Sequence, residues 1–167
     1  DEGNVTVSID ARNFEKAAQS ALATGKKEEL CHACSLYYGE FLSQMTGEKW
    51  VNVIGVKYQE LYFKCLRLAS RLLKADREYD RLLNLSTAAS RLYPYEECQM
   101  MKLDCLIALK RYQEAMEVYK QVVVQYFEEQ GLPPSETMLQ RFRLMSGQIR
   151  YTSDNPGTLL QYIPFLY

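Results

Sequence analysis

The residues with the most obvious chemistry are Cys31-His32-Ala33-Cys34. Two thiols and an imidazole are zinc-ligand types, but a zinc site needs four donors in tetrahedral reach, usually from two such pairs. No second Cys-x-x-Cys occurs, and the motif falls inside a helical pattern. Cys98 and Cys105 are seven residues apart on one helix face, which is core spacing. The five cysteines therefore read as reduced, mostly buried thiols of a cytoplasmic protein. His32 is the only histidine, and nothing marks a serine or cysteine as its nucleophilic partner. Glu96 and Glu97 sit at a helix start, where carboxylates complement the dipole. No glycine-rich phosphate loop is present. The expectation is a protein that is not an enzyme and holds no cofactor or metal.

A different chemistry, the recognition of carboxylates or phosphates, is offered by Lys64, Arg67, Arg71 and Lys74. They recur at i, i+3, i+7 and i+10, one stripe of one helix, with Leu66, Ala69, Ser70 and Leu73 on the adjoining face. Arginine forks take a carboxylate through two parallel hydrogen bonds. The plainer reading of such a stripe is an ordinary solvated face, which every surface helix needs.

The elements that must carry these residues follow from composition and periodicity. With 167 residues, 47% of them hydrophobic, the chain can bury a sizeable core in one or two small domains. A formal charge of −1 argues against duplex binding by the chain itself. No apolar run is long enough to span a bilayer.

Asn4 to Ile9 alternate polar and apolar side chains, which predicts one short strand. A lone strand is marginal, so its expected partner lies upstream, in a longer protein of which this chain is a fragment. Asp10 is the expected N-cap of a first helix carrying Phe14, Ala17, Ala18, Ala21 and Leu22 and ending at Gly25. A second helix carries Leu30, Ala33, Cys34 and Tyr37 to Gly39, and residues 39–50 read as a loop. Helices are then expected at about Val56–Leu73, Arg81–Leu92 (stopped by Pro94), Glu97–Leu109 and Gln113–Glu129. Ser135 caps a last one to about Gly147. In the tail, residues 148–167, apolar side chains after Thr158 suggest packing against something.

An offset of 33 residues superposes Tyr79 on Tyr112, Leu82 on Ala115, Leu73 on Leu106 and Tyr93 on Tyr126. Helix–turn–helix units repeating at this period are the tetratricopeptide (TPR) signature. Leu73, Tyr79, Ala89, Pro94, Tyr112, Ala115 and Tyr119 are the expected repeat-packing residues. In this register the cationic stripe falls on first-helix positions that line a TPR concave groove. Glu97, Met100, Asp104 and Ile107 form the equivalent face of the next unit.

Several segments, read in order, resemble one family. IDARNFEKAAQSA (9–21), LYYGEFL (36–42), Trp50 ahead of a long helix, LYPYEE (92–97), ALKRYQEAMEVY (108–119) and EEQGLPPSETML (128–139) resemble the bacterial transcriptional activator domain of SARP-type regulators. The resemblance covers residues 9 to about 147, with Lys110 where a glycine is usual. It implies an all-α, TPR-like fold of about seven helices in a right-handed stack over residues 10–147. Residues 1–9 would then be the last strand of an upstream winged helix-turn-helix domain.

It further implies a regulatory domain that docks its DNA-binding neighbour, pairs with a second copy as a homodimer, or binds an acidic protein segment. DNA would be contacted only through the missing domain, since no recognition helix lies in this chain. The other reading is a stand-alone TPR adaptor for an acidic peptide.

Overall fold

The structure, a computed structural model, describes residues 2–38, 49–125 and 129–152. Within them lie seven helices: α1 (Glu2–Thr24), α2 (Lys27–Leu36), α3 (Lys49–Ala75), α4 (Tyr79–Leu92), α5 (Glu96–Ala108), α6 (Tyr112–Val124) and α7 (Glu136–Thr152). The chain divides into two compact units, Asp1–Arg81 and Leu82–Tyr167.

In the first unit α1 packs on α2 and α3, and α2 packs on α3. Phe14, Ala18 and Ala21 fall on one face of α1 at i, i+4 and i+7, and all three are fully buried. Gly25 then adopts φ +66 and ends the helix, as its lack of a Cβ allows. Aromatic rings join the three helices. Phe14 of α1 meets Tyr37, just past α2, at 4.8 Å and Tyr58 of α3 at 6.0 Å, while Tyr37 stacks on Tyr62 of α3 at 4.3 Å. Each such pair adds about 0.5–1.5 kcal/mol beyond its area burial.

In the second unit α5 and α6 form a hairpin, and α7 packs on both. Its core gathers Leu103 and Leu106 of α5, Ala115, Met116, Tyr119 and Val122 of α6, and Met138, Phe142 and Met145 of α7. The Ser135 hydroxyl accepts the Met138 N–H at 3.3 Å, the capping bond that the sequence predicts.

Four expectations are corrected. Asn4 to Ile9 lie inside α1. Six alternating residues are a weak strand signal, and no strand occurs among the described residues to complete a ladder. Continuing the helix satisfies the same backbone groups locally. Asp10 is consequently internal to α1, and its carboxylate accepts the Tyr38 hydroxyl at 2.7 Å. At the other end α7 runs through Gly147 to Thr152. A mid-helix glycine costs about 1 kcal/mol relative to alanine, too little to stop a helix held by Phe142 and Met145. Trp50 belongs to the backbone of α3, which begins at Lys49; the rest of the expected loop, residues 39–48, lies outside the described residues, as do Tyr126 and the tail from 153.

The repeat shows itself most clearly in its turns. After α3, the Glu78 N–H donates to the Leu73 carbonyl at 2.9 Å and the Arg77 N–H to the Lys74 carbonyl at 3.1 Å. After α5, Arg111 donates to Leu106 at 2.8 Å and Lys110 to Ile107 at 3.0 Å. Every donor and acceptor is displaced by 33 positions, and both turns are Schellman closures. Their left-handed residues are Arg77 (φ 57) and Lys110 (φ 59), side chains where glycine is favoured. Burial repeats at the same offset: Cys65 and Cys98, Leu73 and Leu106, Leu82 and Ala115, and Ser86 and Tyr119 are all buried.

Because a Cβ in the left-handed region is strained, Lys110→Gly is expected to stabilise the chain by about 1 kcal/mol. The gain appears as a melting temperature raised by ~2–4 °C. A decrease in a calorimetric scan would show that the turn is held otherwise.

The first turn is also tied down by charge. Lys27 at the start of α2 pairs with Asp76 and Glu78, while Arg81 forks onto Glu28 at 2.9 and 2.8 Å and reaches Glu78 at 2.7 Å. Hydrogen bonds to Asp76 and then Glu78 push the Lys27 ammonium up to about 12. Hydrogen bonds from Lys27 and Arg81 hold Glu78 below its ordinary value of 4.5, and Arg81 does the same for Glu28. A carboxyl more acidic in the folded chain than in the unfolded one adds stability above the unfolded value and loses it as pH falls through the folded one. The melting temperature should therefore drop as pH is lowered below 4.5. Glu78→Gln should flatten that drop, and an unchanged profile in this variant would remove the network from the acid response.

Candidate interaction surface

The cationic stripe lies on the outward side of α3. Lys64, Arg67, Arg71 and Lys74 are all exposed, whereas Leu66, Ala69, Ser70 and Leu73 on the adjoining face are at most 5% exposed. At about 1.5 Å rise per residue the four cations span roughly 15 Å of helix. Exposed Glu60 stands one turn before Lys64 on the same line, and Lys57 before it is paired with Glu15 of α1 at 2.6 Å.

The two flanks of the line differ. Leu61, Leu68 and Leu72 are half-buried on one side; Phe63 and Ser70 are buried on the other. The Arg67 guanidinium sits over the Phe63 ring, 5.3 Å from its centre. Stacking on a ring face restrains a guanidinium and reduces the side-chain freedom it has left to lose. Phe63 was not singled out by sequence reasoning, although its i, i+4 spacing to Arg67 was the available signal.

The matching face of the second unit is differently arranged. Glu97, Met100, Asp104 and Ile107 are half-buried. Met100 and Ile107 pack against the core. Asp104 receives both arms of Arg141 from α7, at 2.7 and 3.1 Å, and Arg141 also donates to the Thr137 carbonyl at 3.0 Å. This face is therefore covered at Asp104 by α7, through a pair 37 residues apart that periodicity does not show.

Of the residues expected to pack the repeat, Leu73, Ala89 and Ala115 are fully buried and Tyr119 is 5% exposed. Tyr79 and Tyr112, the first residues of α4 and α6, are half-buried. Pro94 is exposed and packs little. Its effect comes from its fixed φ and missing N–H, with α4 ending at Leu92.

The Cys31–Cys34 motif lies within α2, with Cys34 buried and Cys31 half-buried. Burial raises the thiols of Cys31 and Cys34 and pushes Cys65 up to about 11. Thiols raised in this way are poor nucleophiles at neutral pH. Among the described residues no three His, Cys, Asp or Glu side chains are grouped to hold a metal, and no helix is long and apolar enough to cross a membrane.

The architecture is all-helical among the described residues, and its most distinctive surface is a line of cations on α3. The chain belongs to the bacterial transcriptional activator domain family, which it matches over residues 9–143. No curated protein and no solved structure matches it.

Proposed function

We propose that the chain is the regulatory, partner-binding domain of a SARP-type bacterial transcription factor, working in the cytoplasm by recognition and without chemistry of its own. Its helical hairpins act as TPR-like repeats. An adjacent winged helix-turn-helix domain contacts DNA, and this domain controls that contact by docking the neighbour, by pairing with a second copy, or by binding an acidic segment. The family match supports the transcriptional setting. Raised, buried thiols favour a structural role for the cysteines.

The observation that carries the partner reading is the exposed line Lys64, Arg67, Arg71 and Lys74, with Arg67 set on Phe63. Four cations along one helix draw carboxylates by long-range attraction, and the arginine forks fix them at short range. The acidic segment is the best-supported occupant on this ground. Charge reversal at Arg67 and Arg71 tests it, through binding and through transcriptional output.

A further inference from the structure

An apolar cleft opens in the second unit. It lies between the end of α6 and the start of α7, has a volume of about 240 Å³, and is walled by Val122, Val123, Pro133, Pro134 and Met138. Glu96 and Ser135 are its polar members, and the Ser135 hydroxyl donates to the Glu96 carboxylate. Val124 and Leu132, the chain neighbours of Val123 and Pro133, are both exposed. Half-buried Leu139 follows Met138 on α7. Apolar side chains gathered round a cleft mark a surface that another segment covers.

The repeat points to the source of that cover. The first helix of a hairpin is flanked by the second, as α5 is by α6. By order α7 stands in the place of a first helix, and among the described residues no later helix flanks it. In a stack of repeats the last unit needs a cap over its apolar side. Next in sequence comes the tail, outside the described residues, whose side chains turn apolar after Thr158.

Length and composition fit that role. Residues 153–158 contain Asn155, Pro156 and Gly157, a turn-forming run that can send the chain back along α7. From Thr152 back to Met138, α7 covers about 21 Å at ~1.5 Å per residue. An extended chain advances ~3.3 Å per residue, so about six or seven residues return that distance. Counted from Thr158, they bring Phe165 and Leu166 level with Met138. A helical return would leave Phe165 about 10 Å short, and Pro164 opposes it. The Glu96 carboxylate has lone pairs beyond the one that takes Ser135, and Tyr167 supplies a hydroxyl donor beside Leu166.

We propose that the cleft between α6 and α7 is the docking site of the chain's own residues 159–167, which return along α7 and seat Phe165 and Leu166 against Val123, Leu132 and Met138. The inference is independent of the cationic line on α3.

Photocrosslinking in the full chain tests it, with p-benzoylphenylalanine in place of Phe165 and peptide mapping by mass spectrometry. The expected product is a link within one chain, to the peptide holding Val123 and Val124 or to the one holding Leu132 and Met138. A link to a second chain, a link to any other element, or no link would overturn the proposal. Amide hydrogen exchange in the Phe165→Asp, Leu166→Asp variant is the second measurement. The amides of Val123 and Val124 are expected to exchange at least ~10-fold faster than in the unsubstituted chain, with those of Phe14 and Leu66 unchanged. Equal rates at Val123 and Val124, or the same acceleration at Phe14, would count against the docking.

Discussion

Phe14→Ala is expected to lower the stability of the chain by about 3–5 kcal/mol, the range for truncating a buried phenylalanine. The ring is fully buried in α1 and touches Tyr37 at 4.8 Å and Tyr58 at 6.0 Å. It joins the rings that gather α1, α2 and α3, since Tyr37 stacks in turn on Tyr62. Removing it leaves a cavity lined by rings whose backbones are fixed in helices, so collapse around the gap is limited. Both the transfer term and the cavity term then apply. Val56→Ala, at a position 55% exposed on α3, is the control and should stay within about ±0.5 kcal/mol. Urea unfolding followed by circular dichroism measures both. A loss under ~1 kcal/mol for Phe14→Ala would contradict the packing of α1 described above.

The second large effect is expected on binding, with the fold left intact. Arg67→Glu combined with Arg71→Glu turns two attractive contacts into repulsive ones at the centre of the α3 line. Exposed ion pairs in isolation contribute about 0–1 kcal/mol. Reversal removes two of these contacts and adds like-charge repulsion, so a total of about 1.4–2.8 kcal/mol follows, or ~10–100-fold in affinity for an acidic partner. Both side chains are exposed, and the fold should keep its helical content, at a cost of about 0.5–1 kcal/mol for the lost contact of Arg67 with the Phe63 ring. The attraction is also screened by salt. Raising the salt concentration should weaken wild-type binding and leave the reversed variant nearly unchanged. An affinity that ignores both salt and reversal would place the contact elsewhere on the chain.

Helix positions were legible wherever periodicity and terminators agreed. Gly25 after α1, Pro94 after α4 and Ser135 before α7 each act through local backbone chemistry, which a sequence states directly. The 33-residue repeat was legible in side-chain types and is sharper in the structure, where the two turns close with the same pair of backbone hydrogen bonds. Asn4 to Ile9 were misread because six residues of alternation do not say whether a ladder partner exists, and helix continuation needs none. The end of α7 was placed too early because the small cost of Gly147 was weighed without the packing of Phe142 and Met145.

Pairs distant in sequence were not legible. Arg141 on Asp104, Lys27 on Asp76 and Glu78, and Arg81 on Glu28 join residues 37 to 53 positions apart, and no helical period connects them. The Asp104 pair matters most for function. It shows that the first-helix face of the second unit is engaged by α7, and so directs attention to α3. The candidate site itself was readable as a stripe of charge. What the fold adds is the ring beneath Arg67 and the leucine flank, which give the stripe a preferred geometry.

The central claim, that this domain acts by recognition through α3, is tested most directly by transcription. The protein proposed above as a regulator, carrying Arg67→Glu and Arg71→Glu, would be expressed at wild-type level and assayed with a reporter on a promoter that the wild-type protein activates. The predicted result is a fall in activation of about 10-fold or more, with the circular dichroism spectrum of the purified domain unchanged. Wild-type output from the reversed variant would contradict the claim.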